Sequence, residues 1–188
     1  IEFEKKILEN FQLSQTNYVN NFKSYHWDYQ IKKKKDLYKI ENLKDFRKND
    51  LSKGLDDQFY TNDEATIFFN DLIKDYGEDY ILKLLDDENI GNCSGSIQYK
   101  NKYYSANELF HIKFLSKIKG LINFNNESIV CEIGPGYGSF ASKFIKAFNS
   151  KVVLIDLPES NFLSSFYLKN IFPDKRFFLS AVKCTSYY

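Results

Sequence analysis

The chain has 188 residues, 43% of them hydrophobic and 18% aromatic, which supplies enough apolar material for a packed core and excludes general disorder. Lysine and arginine together number 26 against 25 acidic residues, a net charge of +1 that provides no global field for attracting a polyanion, and only Arg47 and Arg176 carry the forked guanidinium suited to phosphates. No stretch approaches the roughly 18 apolar residues of a membrane span, and Cys93, Cys131 and Cys184 are too few and too far apart for a disulfide framework or a zinc site, so a cytoplasmic protein without a structural metal is expected. No nucleic-acid partner is expected on these grounds, and the absence of Met suggests a trimmed or processed start.

Residues 1–60 are polar and only loosely periodic, with Ile7, Leu8, Phe11, Tyr18 and Phe22 at helical intervals, which predicts short helices joined by loops. The run Lys32 to Lys35 reads as a solvated helix face, and His26-Trp27 as a half-buried aromatic anchor. From Thr61 the pattern sharpens. Ile67, Phe68, Leu72, Ile73 and Tyr76 define one helical face behind Thr61 or Asp63 as N-cap, and Gly77 separates it from a second helix bearing Tyr80, Ile81, Leu84 and Leu85. Gly91 to Gly95 forms a loop, and Ile97 to Tyr104 reads as two short strands turning at Lys100-Asn101. Ser105 and Glu108 have the spacing of a capping box for a helix carrying Leu109, Ile112, Leu115, Ile118 and Ile122 and ending near Gly120. His111 lies within it as a surface or packing residue.

The last sixty residues change character. Ser128 to Ile133 is a short apolar strand with Cys131 in its core, Gly134-Pro135-Gly136-Tyr137-Gly138 is a glycine-rich turn, and Phe140, Ala141, Phe144, Ile145 and Phe148 repeat at helical spacing. Lys151 to Ile155 is a second buried strand, ending at Asp156-Leu157-Pro158 and followed by a helix with Phe162, Leu163, Phe166 and Tyr167. Arg176 to Val182 is a third strand. The alternation of strands and helices predicts a parallel sheet, so the expected fold class is α/β, with an α-helical region over residues 1–127 and a Rossmann-like domain beginning at 128 and running to 188.

A strand that ends in a glycine-rich turn opening a helix makes a nucleotide site, because glycines admit a ligand to the backbone and the helix N-terminus offers unpaired donors. Asp156, twenty-two residues after Gly134, is placed to accept ribose hydroxyls. A dinucleotide fingerprint needs its third glycine five positions after the first, whereas here the glycines stand at 134, 136 and 138, which disfavours NAD. Tyr137 is left between a cofactor contact and solvent.

Glu132 with Gly134, Gly136 and Gly138 after a buried strand resembles motif I of the class I S-adenosylmethionine-dependent methyltransferases, and Asp156 matches that family's ribose-binding acid. The resemblance covers about residues 128–182. It implies S-adenosyl-L-methionine as cofactor, with Gly134, Pro135, Gly136, Tyr137 and Gly138 around its methionine part, Glu132 orienting the turn or engaging the ammonium, and Leu157 beside Asp156. Glu132 to Phe140 and Ile155 to Glu159, with Asn42 to Lys48 and Leu51 to Asp57, are similar to bacterial sugar O-methyltransferases, which implies a sugar or glycan hydroxyl as acceptor and a role in polysaccharide biosynthesis. The family sheet has seven strands, of which this sequence supplies the first three, so the chain reads as truncated at its C-terminus and inactive alone. The residues that orient the acceptor would lie beyond it, and no catalytic residue is assigned. The alternatives are an NAD-dependent oxidoreductase and a non-catalytic module that binds an adenosyl ligand.

Overall fold

The computed structural model describes residues 2–17, 24–33, 35–48, 62–85, 90–93 and 97–178. The fold is mixed α/β. Helix α1 spans Glu2–Asn17 and α2 Tyr25–Lys33, followed by two 3-10 helices, Lys35–Tyr38 and Ile40–Asp45. Helices α3 (Asn62–Tyr76) and α4 (Glu78–Leu84) are divided by Gly77, whose φ of +88° only glycine adopts without strain. Strands β1 (Ile97–Tyr99) and β2 (Lys102–Tyr104) form the expected antiparallel hairpin, and Lys100 and Asn101 both take the left-handed conformation that a two-residue turn requires.

Ser105 caps α5 (Ala106–Lys119) by accepting the Asn107 amide at 3.1 Å, a contact worth about 1 kcal/mol to the helix. Strand β3 (Ile129–Ile133), helix α6 (Ser139–Phe148), strand β4 (Lys151–Ile155) and helix α7 (Pro158–Ile171) complete the described elements. Strands β3 and β4 pair in parallel, from Ile129 opposite Lys151 to Ile133 opposite Ile155. Residues 176–178 carry no strand, and the rest of the expected third strand, like Leu51 to Asp57, Thr61 and Cys184, lies outside the described residues.

Two apolar clusters hold the elements together. One joins α3, α4, the hairpin, α5 and α6 through Phe69, Leu72, Ile81, Leu84, Leu109, Ile112, Leu115 and Phe144. The other joins α1, the 3-10 pair and α7 through Ile7, Leu37, Leu43, Phe46, Phe162, Leu163 and Tyr167, and takes in Tyr137 and Ala141 from the glycine turn and α6. Each fully buried Leu or Phe in these clusters contributes on the order of 2 kcal/mol.

Four expectations need correction. On α3 the buried face is Ala65, Phe69 and Leu72, while Ile67 is 62% exposed and Tyr76 also lies open, because the helix turns its middle stripe to α5 and the hairpin. Trp27 is 54% exposed and its ring meets only the neighbouring His26 edge-on at 5.5 Å among the described contacts, so the pair does not anchor the N-terminal region. Strands β3 and β4 are half-covered rather than buried. Helices α6 and α7 cover the face with Val130, Glu132, Val152 and Leu154, and the other face leaves Ile129, Cys131, Ile133, Val153 and Ile155 exposed. Cys131 therefore points away from the core, since alternate strand residues face opposite sides.

Candidate functional site

The glycine turn begins where β3 stops. Gly134 donates to the Ile155 carbonyl at 2.9 Å, extending the β3–β4 pairing by one bond before the chain leaves the sheet. Gly134, Gly136 and Gly138 have φ values of +75°, +57° and +89°, so every second residue of the turn occupies the left-handed region. Their surroundings differ in a way that assigns separate roles. A side chain at Gly134 or Gly136 would meet no atom within 4 Å, which leaves open space against the backbone there. At Gly138 a Cβ would come within 3.2 Å of Leu168, so this glycine allows α7 to approach the start of α6. Gly138 also N-caps α6.

Glu132 and Asp156 stand beneath this turn from the two strands. The Glu132 carboxylate accepts a hydrogen bond from the Ala141 amide, one of the free donors in the first turn of α6, yet its Oε2 is buried without any hydrogen-bond partner. Burial is the main cause that raises its pKa from 4.5 to about 7; the Ala141 bond opposes the rise and the charge of Asp156 adds to it. Asp156 follows β4 directly. Its Oδ1 accepts from the Leu157 amide at 2.7 Å and its Oδ2 from the Gly136 amide at 3.2 Å, while Asn161 donates to its carbonyl at 3.1 Å. Burial raises the Asp156 pKa, opposed by the Leu157 and Gly136 amides and by the Ser160 hydroxyl. The carboxylate thus ties the glycine turn to the tip of the second strand.

The sequence-predicted residues Glu132, Gly134, Pro135, Gly136, Gly138, Asp156 and Leu157 meet in this one place. Tyr137 takes neither of the positions left open for it. Its side chain is 3% exposed and sits in the core, edge-on to Tyr167 at 4.9 Å and to Phe46 at 5.6 Å, with the Arg47 guanidinium 5.1 Å above its ring. The turn is therefore anchored from below by an aromatic side chain inserted between α7 and the residues that follow the second 3-10 helix.

Arg47 is itself buried and belongs to a charged knot under the turn. Its Nη2 lies 3.5 Å from Glu108 Oε1, to which Tyr167 donates at 3.4 Å and from which Lys143 Nζ stands 3.7 Å away. All four groups are buried, so removing Glu108 would take from Arg47 and Lys143 the carboxylate they share in a low-dielectric interior. The Arg47 amide donates to the Gly91 carbonyl at 2.7 Å, and Gly91 is forced to be glycine by Phe46, whose ring would meet a Cβ at 2.4 Å. His111, expected as a surface or packing residue, is half-buried with Nδ1 3.1 Å from the hydroxyl of Ser139, the first residue of α6. Its ring packs 5.6 Å from Phe140.

Nothing in the residue pattern singles out Tyr38, and Phe46 and Arg47 stand out only within the stretch Asn42 to Lys48. All three come from the weakly patterned N-terminal region. Among the described residues no group of three or more His, Cys, Asp or Glu is placed to hold a metal, and no helix is long and apolar enough to cross a membrane.

Against known proteins, the chain is 33% identical over 58 residues to "Ribosomal RNA small subunit methyltransferase A" of Mycoplasma capricolum subsp. capricolum and 31% identical over 58 residues to the protein of that name from Mycoplasma mycoides subsp. mycoides. Each match takes in 31% of this chain and 21% of the relative, so the chain spans about a fifth of the length of the curated relatives it matches. No protein-family profile matches the chain, and no solved structure does.

Proposed function

We propose that this chain carries the cofactor-binding part of an S-adenosylmethionine-dependent O-methyltransferase. The observation that carries the reading is the pairing of an open left-handed glycine turn with two carboxylates at the tips of adjacent parallel strands. The residues suit the cofactor. The backbone at Gly134 and Gly136 has free space in front of it, the orphaned Oε2 of Glu132 lacks the donor that a ligand ammonium provides, and Asp156 is a carboxylate suited to ribose hydroxyls. The bound cofactor would supply a sulfonium-activated methyl group. The similarity to two proteins named as methyltransferases supports the same reading, and the glycine spacing speaks against the NAD alternative.

In this reading the chain's own residues bind and align. Gly134 and Gly136 let the ligand approach the main chain, Glu132 and Asp156 take its ammonium and ribose ends, and Pro135, Tyr137 and Leu157 hold the two connections in shape. Gly138 acts one step away by fixing α6 against α7. No described residue is assigned as the base that takes the acceptor's proton.

For the acceptor we propose a sugar hydroxyl, on the resemblance of the site stretches to sugar O-methyltransferases. The name of the relatives favours a second reading, an RNA acceptor, against the expectation of no nucleic-acid partner; the near-neutral charge and two arginines weigh against it. Ultraviolet cross-linking of methyl-labelled S-adenosylmethionine tests the site. The label is expected on peptides containing residues 134–138 or 156–157, and label confined to other peptides would overturn the reading. Transfer of labelled methyl to a glycan acceptor rather than to ribosomal RNA would decide between the two acceptors.

A further inference from the structure

Tyr137 stands between Gly136 and Gly138, residues that can leave their left-handed conformation at little steric cost. The side chain at 137 therefore has to fix the middle of the turn, and residues distant in sequence hold it. Phe46 meets its ring edge-on at 5.6 Å, and the Arg47 guanidinium lies 5.1 Å from the centre of that ring and 5.9 Å from the centre of the Tyr167 ring. Arg47 is itself held in place. Its Nη1 donates to the Ile90 carbonyl at 3.4 Å, its Nη2 stands 3.5 Å from Glu108 Oε1, and its amide donates to the Gly91 carbonyl at 2.7 Å. One planar group thus ties the N-terminal region, residues 90–91 and α5 to the ring that anchors the turn.

The residue before Tyr137 is Gly136, where a Cβ would meet nothing and a ligand can reach the main chain. A ligand bound there needs the backbone in one geometry, and its affinity falls with the fraction of chains that hold that geometry. A grip on Tyr137 raises this fraction without touching the ligand. Linkage makes the effect reciprocal, so a ligand that favours the gripped turn also tightens the grip.

We propose that Arg47 is a positioning residue for the cofactor, acting through Tyr137 to hold the glycine turn in its ligand-competent form. This rests on the cofactor reading above. The test combines calorimetric titration of S-adenosylhomocysteine with amide hydrogen exchange on wild type and Arg47→Lys. Lysine keeps a charge for Glu108 but has no planar group to lay over the Tyr137 ring. Well below its melting temperature, Arg47→Lys is expected to bind about three- to tenfold more weakly than wild type. Its Gly138 amide, which donates to the Pro135 carbonyl at 2.9 Å within the turn, should exchange faster than in wild type when no ligand is present. In wild type, S-adenosylhomocysteine should slow exchange of the Arg47 amide more than that of the Gly77 amide, which is held by the Ile73 carbonyl at the end of α3. An arginine with a structural role alone would leave the two amides equally affected by ligand. Wild-type affinity or wild-type Gly138 exchange in Arg47→Lys, or equal slowing of the two amides, would overturn the proposal while leaving the cofactor reading intact. A wild-type chain that fails to bind S-adenosylhomocysteine would overturn both.

Discussion

Glu132 offers the sharpest prediction because its folded environment and its proposed ligand pull its proton in opposite directions. In the folded chain the carboxyl titrates near 7 instead of 4.5, so between these pH values the folded state keeps a proton that the unfolded state has released. Stability is therefore greatest below the unfolded value, declines as pH rises to about 7, and is level above it. A displacement of that size corresponds to about 3 kcal/mol if fully felt, and solvent access to a group at the edge of the site reduces it to about 2. Glu132→Gln removes this titration, so denaturant melts should show its stability less dependent on pH over this window and above wild type at pH 8. Ligand binding should run the other way. A ligand ammonium on Oε2 needs the ionised carboxylate, so wild-type affinity for S-adenosylhomocysteine should rise about tenfold per pH unit up to about 7 and then level off. Glu132→Gln should bind weakly with a flat profile. A flat wild-type profile, or full affinity in the glutamine variant, would refute the assignment of Glu132 to the ligand.

Asp156→Ala should weaken cofactor binding by roughly 1.5 to 3 kcal/mol for each charge-assisted bond lost, read by calorimetry, and also lower the melting temperature, because the Gly136 and Leu157 amides lose their acceptor. Gly136→Val should fold, since its side chain meets nothing, at a cost of about 1 to 2 kcal/mol for the left-handed backbone, but should bind no cofactor because the valine fills the ligand's space; full affinity would show the turn to be purely structural. Gly138→Ala should instead act mainly on stability, visible in denaturant melts, because its Cβ presses on Leu168. Arg47→Met should destabilise the fold by about 3 kcal/mol, as Glu108 loses a buried partner, and an unchanged unfolding midpoint would mean that the knot is not a structural tie. The outer face of β3 and β4, where Ile133 is 81% exposed, should drive self-association, and light scattering should show Ile133→Lys to be less associated than wild type.

The β–α–β–α segment was readable because several local signals agree there: apolar strands of five residues, glycines only where the backbone turns left-handed, and helices of clear period. The same agreement places Glu132 and Asp156 on adjacent strand tips from the sequence alone. Which strand face is covered was not readable, since alternation gives two faces without saying which one the helices take, and Cys131 and Ile133 fall on the open one. Tyr137 was undecided for a related reason. A residue between two left-handed glycines can be sent to either side, and here Phe46, Arg47 and Tyr167, distant in sequence, set the choice. How the N-terminal region packs was hidden because the 3-10 turns that end at Tyr38 and that precede Phe46 and Arg47 carry too short a period to leave a pattern.

The central claim is that the turn at 134–138 and the acid at 156 form a site for S-adenosylmethionine rather than a dinucleotide. Calorimetric titration of S-adenosylhomocysteine and NAD side by side into this chain tests it most directly. The account predicts saturable one-to-one binding of S-adenosylhomocysteine that Gly136→Val abolishes, with no binding of NAD. Binding of NAD, or of neither ligand, would contradict it.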